Sequence, residues 1–267
     1  MKKIISLISI GLMSLIHAEE FGDTFKIRAG GYLVSHNETT VSATTDYLVG
    51  AKINLQDDLG MDTKTDSFRL DGHYRFNDHH KIEFSYYRIH TDSTLALDED
   101  LEWDGDVYQA GATISSMLNM DIYKLNYAYS FYHSKEVELS LAAGLHMMDI
   151  ETGLQGDANV NNGGNVEYVN GDTTFLAPLP VIGFRVDYAV TPRFHIAGAI
   201  DYFGISIDQY SGSFVDLLIN AEYQAFDNFG VGAGLNVTSL EATVDDGTEY
   251  ELNQNISGFL VYLSYNY

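Results

Sequence analysis

The sequence predicts an all-β protein: an antiparallel up-and-down transmembrane β-barrel of ten strands, with eight or twelve as the alternatives. Three observations predict it. Apolar residues alternate with small or polar ones over runs of about ten residues, which is strand periodicity rather than a helical stripe. The second face of those runs carries glycines and oppositely charged neighbours such as Arg69/Asp71 and Arg185/Asp187. Short turns alternate along the chain with long acidic loops, the asymmetry of outer-membrane barrels.

The chain begins "MKKIISLISIGLMSLIHA": Lys2 and Lys3, an apolar run from Ile4 to Ile16, then Ala18. This is the pattern of a secretory signal, too short to span a bilayer comfortably as a helix. Residues 1–18 are therefore read as a signal peptide and 19–267 as one outer-membrane barrel domain. No later run is apolar for long enough to be a membrane helix. An exported chain of this kind is soluble or a barrel, because only helices and closed barrels satisfy their backbone in lipid. The chain has no Cys, so it has neither a disulfide framework nor thiolate metal sites. Removing Lys2 and Lys3 from 14 basic residues leaves 12 against 38 acidic ones, a formal charge of −26. That balance argues against nucleic acid as a partner and favours cations.

Ten strands are expected, over about 24–36, 66–76, 81–92, 111–131, 137–150, 173–190, 194–208, 213–226, 228–243 and 249–267. Their length suits transmembrane strands, which need about nine to eleven residues. In "FGVGAGLNVT" the apolar face of Phe229, Val231, Ala233, Leu235 and Val237 opposes Gly230, Gly232, Gly234, Asn236 and Thr238. Glycine weakens a strand, and a solvated face has no need of three of them; a tight barrel interior does. "NDHH" (77–80), "HSKE" (133–136), "TPR" (191–193) and "FDN" (226–228) are short periplasmic turns, flanked by Phe76, Phe131, Tyr188, Phe194, Phe226 and Phe229 as an interfacial girdle. Pro178 and Pro180 are expected to begin a strand at its outer end. Segment 37–65 either extends the sheet above the membrane or forms two further strands; ten strands require the first. The last run, "SGFLVYLSYNY", is expected to pair with the first strand and close the barrel. Phe259, Tyr265 and Tyr267 then face lipid, in the manner of a C-terminal signal for the outer-membrane assembly machinery.

The lumen is expected to hold Arg28, Arg69, Asp71, Arg75, Glu83, Lys124, Glu138, Arg185, Asp187, Asp216 and Glu222, with Lys26 and His73 beside them. Buried charges must be paired. Such a lumen is a plug if narrow and a constricted pore if wide; ten strands lie near the filled end. His146 faces inward beside Met147 and Met148 and is read as packing there. Catalytic candidates are weak: His90 and Asp92 share a strand face, Ser93 points the other way, and Ser35–His36 could approach from elsewhere. No enzyme is expected; a surface site hydrolysing lipid or peptide is the alternative. The outer loops are acidic. Asp98, Asp100, Asp104 and Asp106 surround Trp103, an oxygen-rich set that suits Ca²⁺ or Mg²⁺, held loosely because no twelve-residue calcium loop is present. No cofactor is expected beyond such ions. A surface adhesin or cation-binding barrel is a further alternative.

The stretch "INLQDDLGMDTKTDSFRLDGHYRFNDHHKIEFSYYRI" (53–89) resembles a pattern in small uncharacterised Gram-negative outer-membrane β-barrel, porin-like proteins. Its marks are Asp57, Asp58, Leu59, Gly60, Tyr74, Arg75, His80, Phe84, Tyr86 and Tyr87. The similarity continues through "LPVIGFRVDYAVTPRF" and "AEYQAFDNFGVGAGLN". The resemblance implies an outer-membrane location and a porin-like fold; outer-membrane lipid, lipopolysaccharide and the assembly machinery are the expected partners. Small solutes are the cargo if the lumen is open. It implies no chemistry.

Overall fold

The computed structural model describes residues 23–45, 52–103, 106–159, 166–245 and 248–267. The expected signal peptide, Asp104 and parts of three outer loops lie outside them. Thirteen strands are present among the described residues. Ten are long and close into a barrel: β1 (Phe25–Thr45), β3 (Thr65–Asn77), β4 (His80–Ala96), β7 (Thr113–His133), β8 (Val137–Asn159), β9 (Val166–Thr191), β10 (Phe194–Ile207), β11 (Tyr210–Gln224), β12 (Phe229–Asp245) and β13 (Thr248–Asn266). Each pairs antiparallel with its neighbours, and β13 returns to β1. The expected ten-strand barrel is borne out. Three short strands, β2 (Lys52–Asn54), β5 (Leu101–Trp103) and β6 (Asp106–Tyr108), decorate the outer end.

The closure seam explains the apolar chain end. Lys26 registers with Asn266 and Leu33 with Phe259. Phe25 and Tyr267 exchange both backbone hydrogen bonds, each 2.9 Å. Closure leaves no free sheet edge in the membrane, the end strand's usual liability. Outward residues form an apolar belt, from Phe229 to Val237 on β12, the length a tilted strand needs to cross lipid. Tyr74, Phe76, Tyr127, Tyr129, Tyr188, Tyr223 and Tyr265 ring its lower edge; Phe68, Tyr86, Tyr123, Tyr202 and Phe259 ring its upper edge. Above that line the outward face turns polar: Arg88 pairs in register with Asp121, and Asp121 with Asp149.

Segment 37–65 adds no membrane crossing, as ten strands require. β1 runs on to Thr45, and β2 returns beside it with Val41 opposite Ile53. The chain then turns inward: Leu55, Leu59 and Met61 are buried in the barrel. The Asp57–Gly60 stretch is therefore a plug turn. Asp58 accepts a bond from the Asn54 amide (2.7 Å), and Gly60 takes a positive φ of 65°. One expectation needs correction: Pro178 and Pro180 do not begin a strand; β9 starts at Val166. Both lie above the last β9–β10 rung, Ile182 with Tyr202, where β9 pairs only with β8. Proline is tolerated on such an edge and blunts it. The long loops expected at 93–110 and 151–172 are largely strand: β8 and β9 run on as a tall hairpin.

The glycines of β12 face inward, each beneath a cross-strand side chain: Gly230 under Ser264, Gly232 under the Tyr262 ring, Gly234 under Asn220. Gly30 is tighter. A Cβ there would collide with the backbone of Val261 and Tyr262 on the closing strand. Gly30→Val is therefore expected to lower stability by about 1–3 kcal/mol, the cost of overpacking. Urea unfolding from lipid vesicles, set against a Gly31→Val control whose site is open, measures it.

Candidate functional site

The inward face carries the chemistry-bearing residues, in two stacked layers. The lower layer is ionic. Glu222 on β11 accepts from Lys26 (3.2 Å) and Arg28 (2.9 Å) on β1, across the lumen. Glu138 on β8 receives Arg75 of β3 through both terminal guanidinium nitrogens (3.1 and 2.7 Å). It also receives the Ser130 and Ser140 hydroxyls and lies 3.6 Å from Lys81. Lys81 also lies 3.5 Å from Asp187 and 3.6 Å from Glu83. Arg185 on β9 bridges Glu83 (2.8 Å) and Asp201 (2.7 Å). Lys124 on β7 pairs with Asp216, which also accepts from Asn236 (3.0 Å) and Thr238 (2.6 Å). Arg69 holds Asp71 (3.0 Å) and donates to Asn236 (2.8 Å), its guanidinium 4.6 Å from the Tyr87 ring centroid.

All eleven charges assigned to the lumen thus lie on the inner wall, each with an opposite charge in reach. Sequence reading missed Lys81 and Asp201. Lys81 was signalled, because it sits two residues before Glu83 on one strand face. Asp201 follows an apolar run and gives no comparable sign. The lattice lines a chamber of about 140 Å³, together with His73, Asn126, Asn220 and Tyr262.

The upper layer is apolar, which the sequence reading did not foresee. Tyr32, Tyr87, Ile89, Ile114, Leu118, Met120, Ile122, Met148, Phe214, Leu240 and Ile256 all face inward and are buried with Leu55, Leu59 and Met61. An interior of small and polar residues was expected, yet here the inward face is apolar and the outward one polar, so the period-two pattern persists with its faces exchanged. His146 does more than pack beside methionines. It bonds Asp201 through Nε2 (3.1 Å) and meets Phe214 edge-on at 4.8 Å.

The remaining candidates sit elsewhere. His90 and Asp92 point outward, above the belt. His90 Nε2 lies 3.7 Å from Asp121 rather than facing Asp92 and a serine. His36 pairs with Glu38 (3.5 Å), and Ser35 donates to the Ser257 carbonyl. Asp98 and Asp100 are exposed, and Asp100 accepts from the Ala110 amide (2.8 Å). Asp106 belongs to β6. Among the described residues, the group of carboxylates and histidine close enough to share an ion is His146, Asp201 and Asp216, all buried. Lys124 and Arg185 already neutralise that trio. Phe259, Tyr265 and Tyr267 face outward at the closing strand.

Residues 32–202 match the family described as Legionella pneumophila major outer membrane protein precursor. The chain belongs to this family. Its place is the outer membrane. No curated protein matches. Among solved structures it is similar to the outer membrane protease OmpT from Escherichia coli, at 14% identity and a TM-score of 0.55, covering 91% of this chain and 97% of that one. It is also similar to OprG from Pseudomonas aeruginosa, at 13% identity and a TM-score of 0.39, covering 93% and 97%. At such identities the OmpT likeness speaks for the barrel fold alone.

Proposed function

We propose that this family member is a non-enzymatic outer-membrane barrel with a sealed lumen, a structural protein that anchors an acidic outer rim. One observation carries the reading: the lumen is filled twice over, by an ion-pair lattice and, above it, by an apolar layer completed by Leu55, Leu59 and Met61. Charges held against opposite charges at 2.7–3.6 Å leave little for a passing solute to exchange with. Of the 12 basic residues beyond Lys3, seven (Lys26, Arg28, Arg69, Arg75, Lys81, Lys124 and Arg185) serve this lattice. The rim is therefore left strongly acidic, with Asp57, Asp58, Asp62, Asp66, Asp92, Asp98 and Asp100 all exposed. Such a rim suits loosely held Ca²⁺ or Mg²⁺ bridging to lipopolysaccharide phosphates. The refolded protein in planar bilayers is expected to give no conductance steps; regular steps at ordinary voltages would establish the narrow channel instead.

A further inference from the structure

We propose that the apolar upper half of the lumen binds a single alkyl chain, taken from the outer leaflet through the seam between β9 and β10. The seam is a break in the wall. β9 and β10 pair from Thr191 with Phe194 up to Ile182 with Tyr202, and no higher among the described residues. β10 continues to Ile207 bonded only to β11, while β9 rises beside β8 alone. The break begins in the aromatic ring at the upper edge of the belt, level with the lipid headgroups. Pro180 and Pro178 stand directly above it and offer no N–H with which to zip the strands shut. Its two lips, Leu179 and Phe203, pack against the same buried cluster that fills the upper lumen.

Beyond that cluster, against β1, β7, β8, β12 and β13, lies a cavity of about 80 Å³, walled chiefly by Leu55, Leu118, Met120, Met148, Leu240 and Leu252. It contacts few polar groups, and the main ones are spent on each other. The Thr39 hydroxyl donates to Gln254, whose amide donates to Asn37 (2.7 Å). The Thr39 amide donates to Gln56 (2.7 Å). Asn37 Nδ2 and Gln56 Nε2 keep no partner behind that wall, but neither residue lines the cavity, whose surface is almost wholly apolar. The wall is aliphatic and thioether, without a ring to stack on. Its volume is about half of the ~150 Å³ that admits benzene in an apolar protein cavity. That favours a thin, unbranched chain over an aromatic molecule, and methionine side chains adapt well to one. The ionic layer beneath sets a floor the chain cannot pass, so its polar end stays at the seam. A membrane lipid and a free fatty acid share this chemistry.

The test is photo-crosslinking of the mature protein refolded in phospholipid vesicles. One arm carries a phospholipid with a diazirine in its acyl chain, the other a free fatty acid bearing the same group. Adducts on inward residues such as Met120, Met148 or Leu240 are expected. Their presence with the phospholipid identifies a membrane lipid as the source; their presence with the fatty acid alone identifies the free acid. Leu240→Phe fills the cavity and should remove the inward adducts while those on belt residues Val261 and Leu263 persist. Met120→Phe serves if that variant does not refold. Adducts confined to the belt in both arms, or inward adducts that survive both substitutions, would overturn the proposal and leave the cavity a packing void.

Discussion

Replacing Asp216 by alanine is expected to cost about 3–5 kcal/mol, the range found when one partner of a buried ion pair is removed. Asp216 is 3% exposed and lies at the centre of the lumen's widest bridge. It pairs with Lys124 of β7 and receives Asn236 and Thr238 of β12, and Asn236 in turn receives Arg69 of β3. Alanine would leave the Lys124 ammonium buried beside the Arg69 guanidinium with no anion between them. The penalty is the orphaned charge rather than the lost attraction, and this gives the experiment its control. Removing both partners as Lys124→Met with Asp216→Leu should recover most of the loss, since apolar replacement of a whole buried pair is often neutral. A double-mutant cycle, read by urea unfolding from vesicles, should therefore show strong coupling between the two positions. Additive losses from the two single changes would mean that Lys124 reaches water or another carboxylate when Asp216 is gone.

The same bridge marks what could be read in the chain and what could not. Strand number, order and facing were written locally: alternation in "VDLLINAEYQA" puts Asp216, Asn220 and Glu222 inside whatever their partners are, because strand periodicity is two. The partners were not written locally. Lys124 meets Asp216 across 92 positions of sequence and Arg28 meets Glu222 across 194, contacts set by barrel curvature and shear rather than by spacing. The apolar upper layer was hidden for a different reason. Ile114, Leu118 and Met120 alternate with Ser115, Met117 and Asn119, and above the belt the polar face is the outward one. The rule that lipid-facing means apolar inverts at the Tyr86–Tyr123 line, and nothing in the alternation announces it. The plug turn at Asp57–Gly60 stood out as a pattern, yet only the burial of Leu55, Leu59 and Met61 gives it a purpose.

Deleting Tyr267 is expected to impair the barrel in two separable ways. Its backbone exchanges both hydrogen bonds with Phe25 and so fastens the last rung of the closure seam. The residue is 76% exposed, and its side chain contributes nothing to the lumen and projects outward at the lower edge of the belt. Deletion removes both contributions, whereas Tyr267→Ala removes the side chain alone. Two net backbone bonds at about 1 kcal/mol each make the deletion cost about 2 kcal/mol in unfolding from vesicles. Tyr267→Ala should leave those bonds and that stability nearly intact. In cells the order should change. If the terminal aromatic is what the assembly machinery grips, Tyr267→Ala and the deletion should both leave most of the chain outside the outer membrane, scored by loss of the heat-modifiable band. Phe259 and Tyr265, on the same outward face, should then show smaller defects when changed to alanine. Normal assembly of Tyr267→Ala in cells, with a defect only in the deletion, would place the whole role of the C-terminus in closing the barrel.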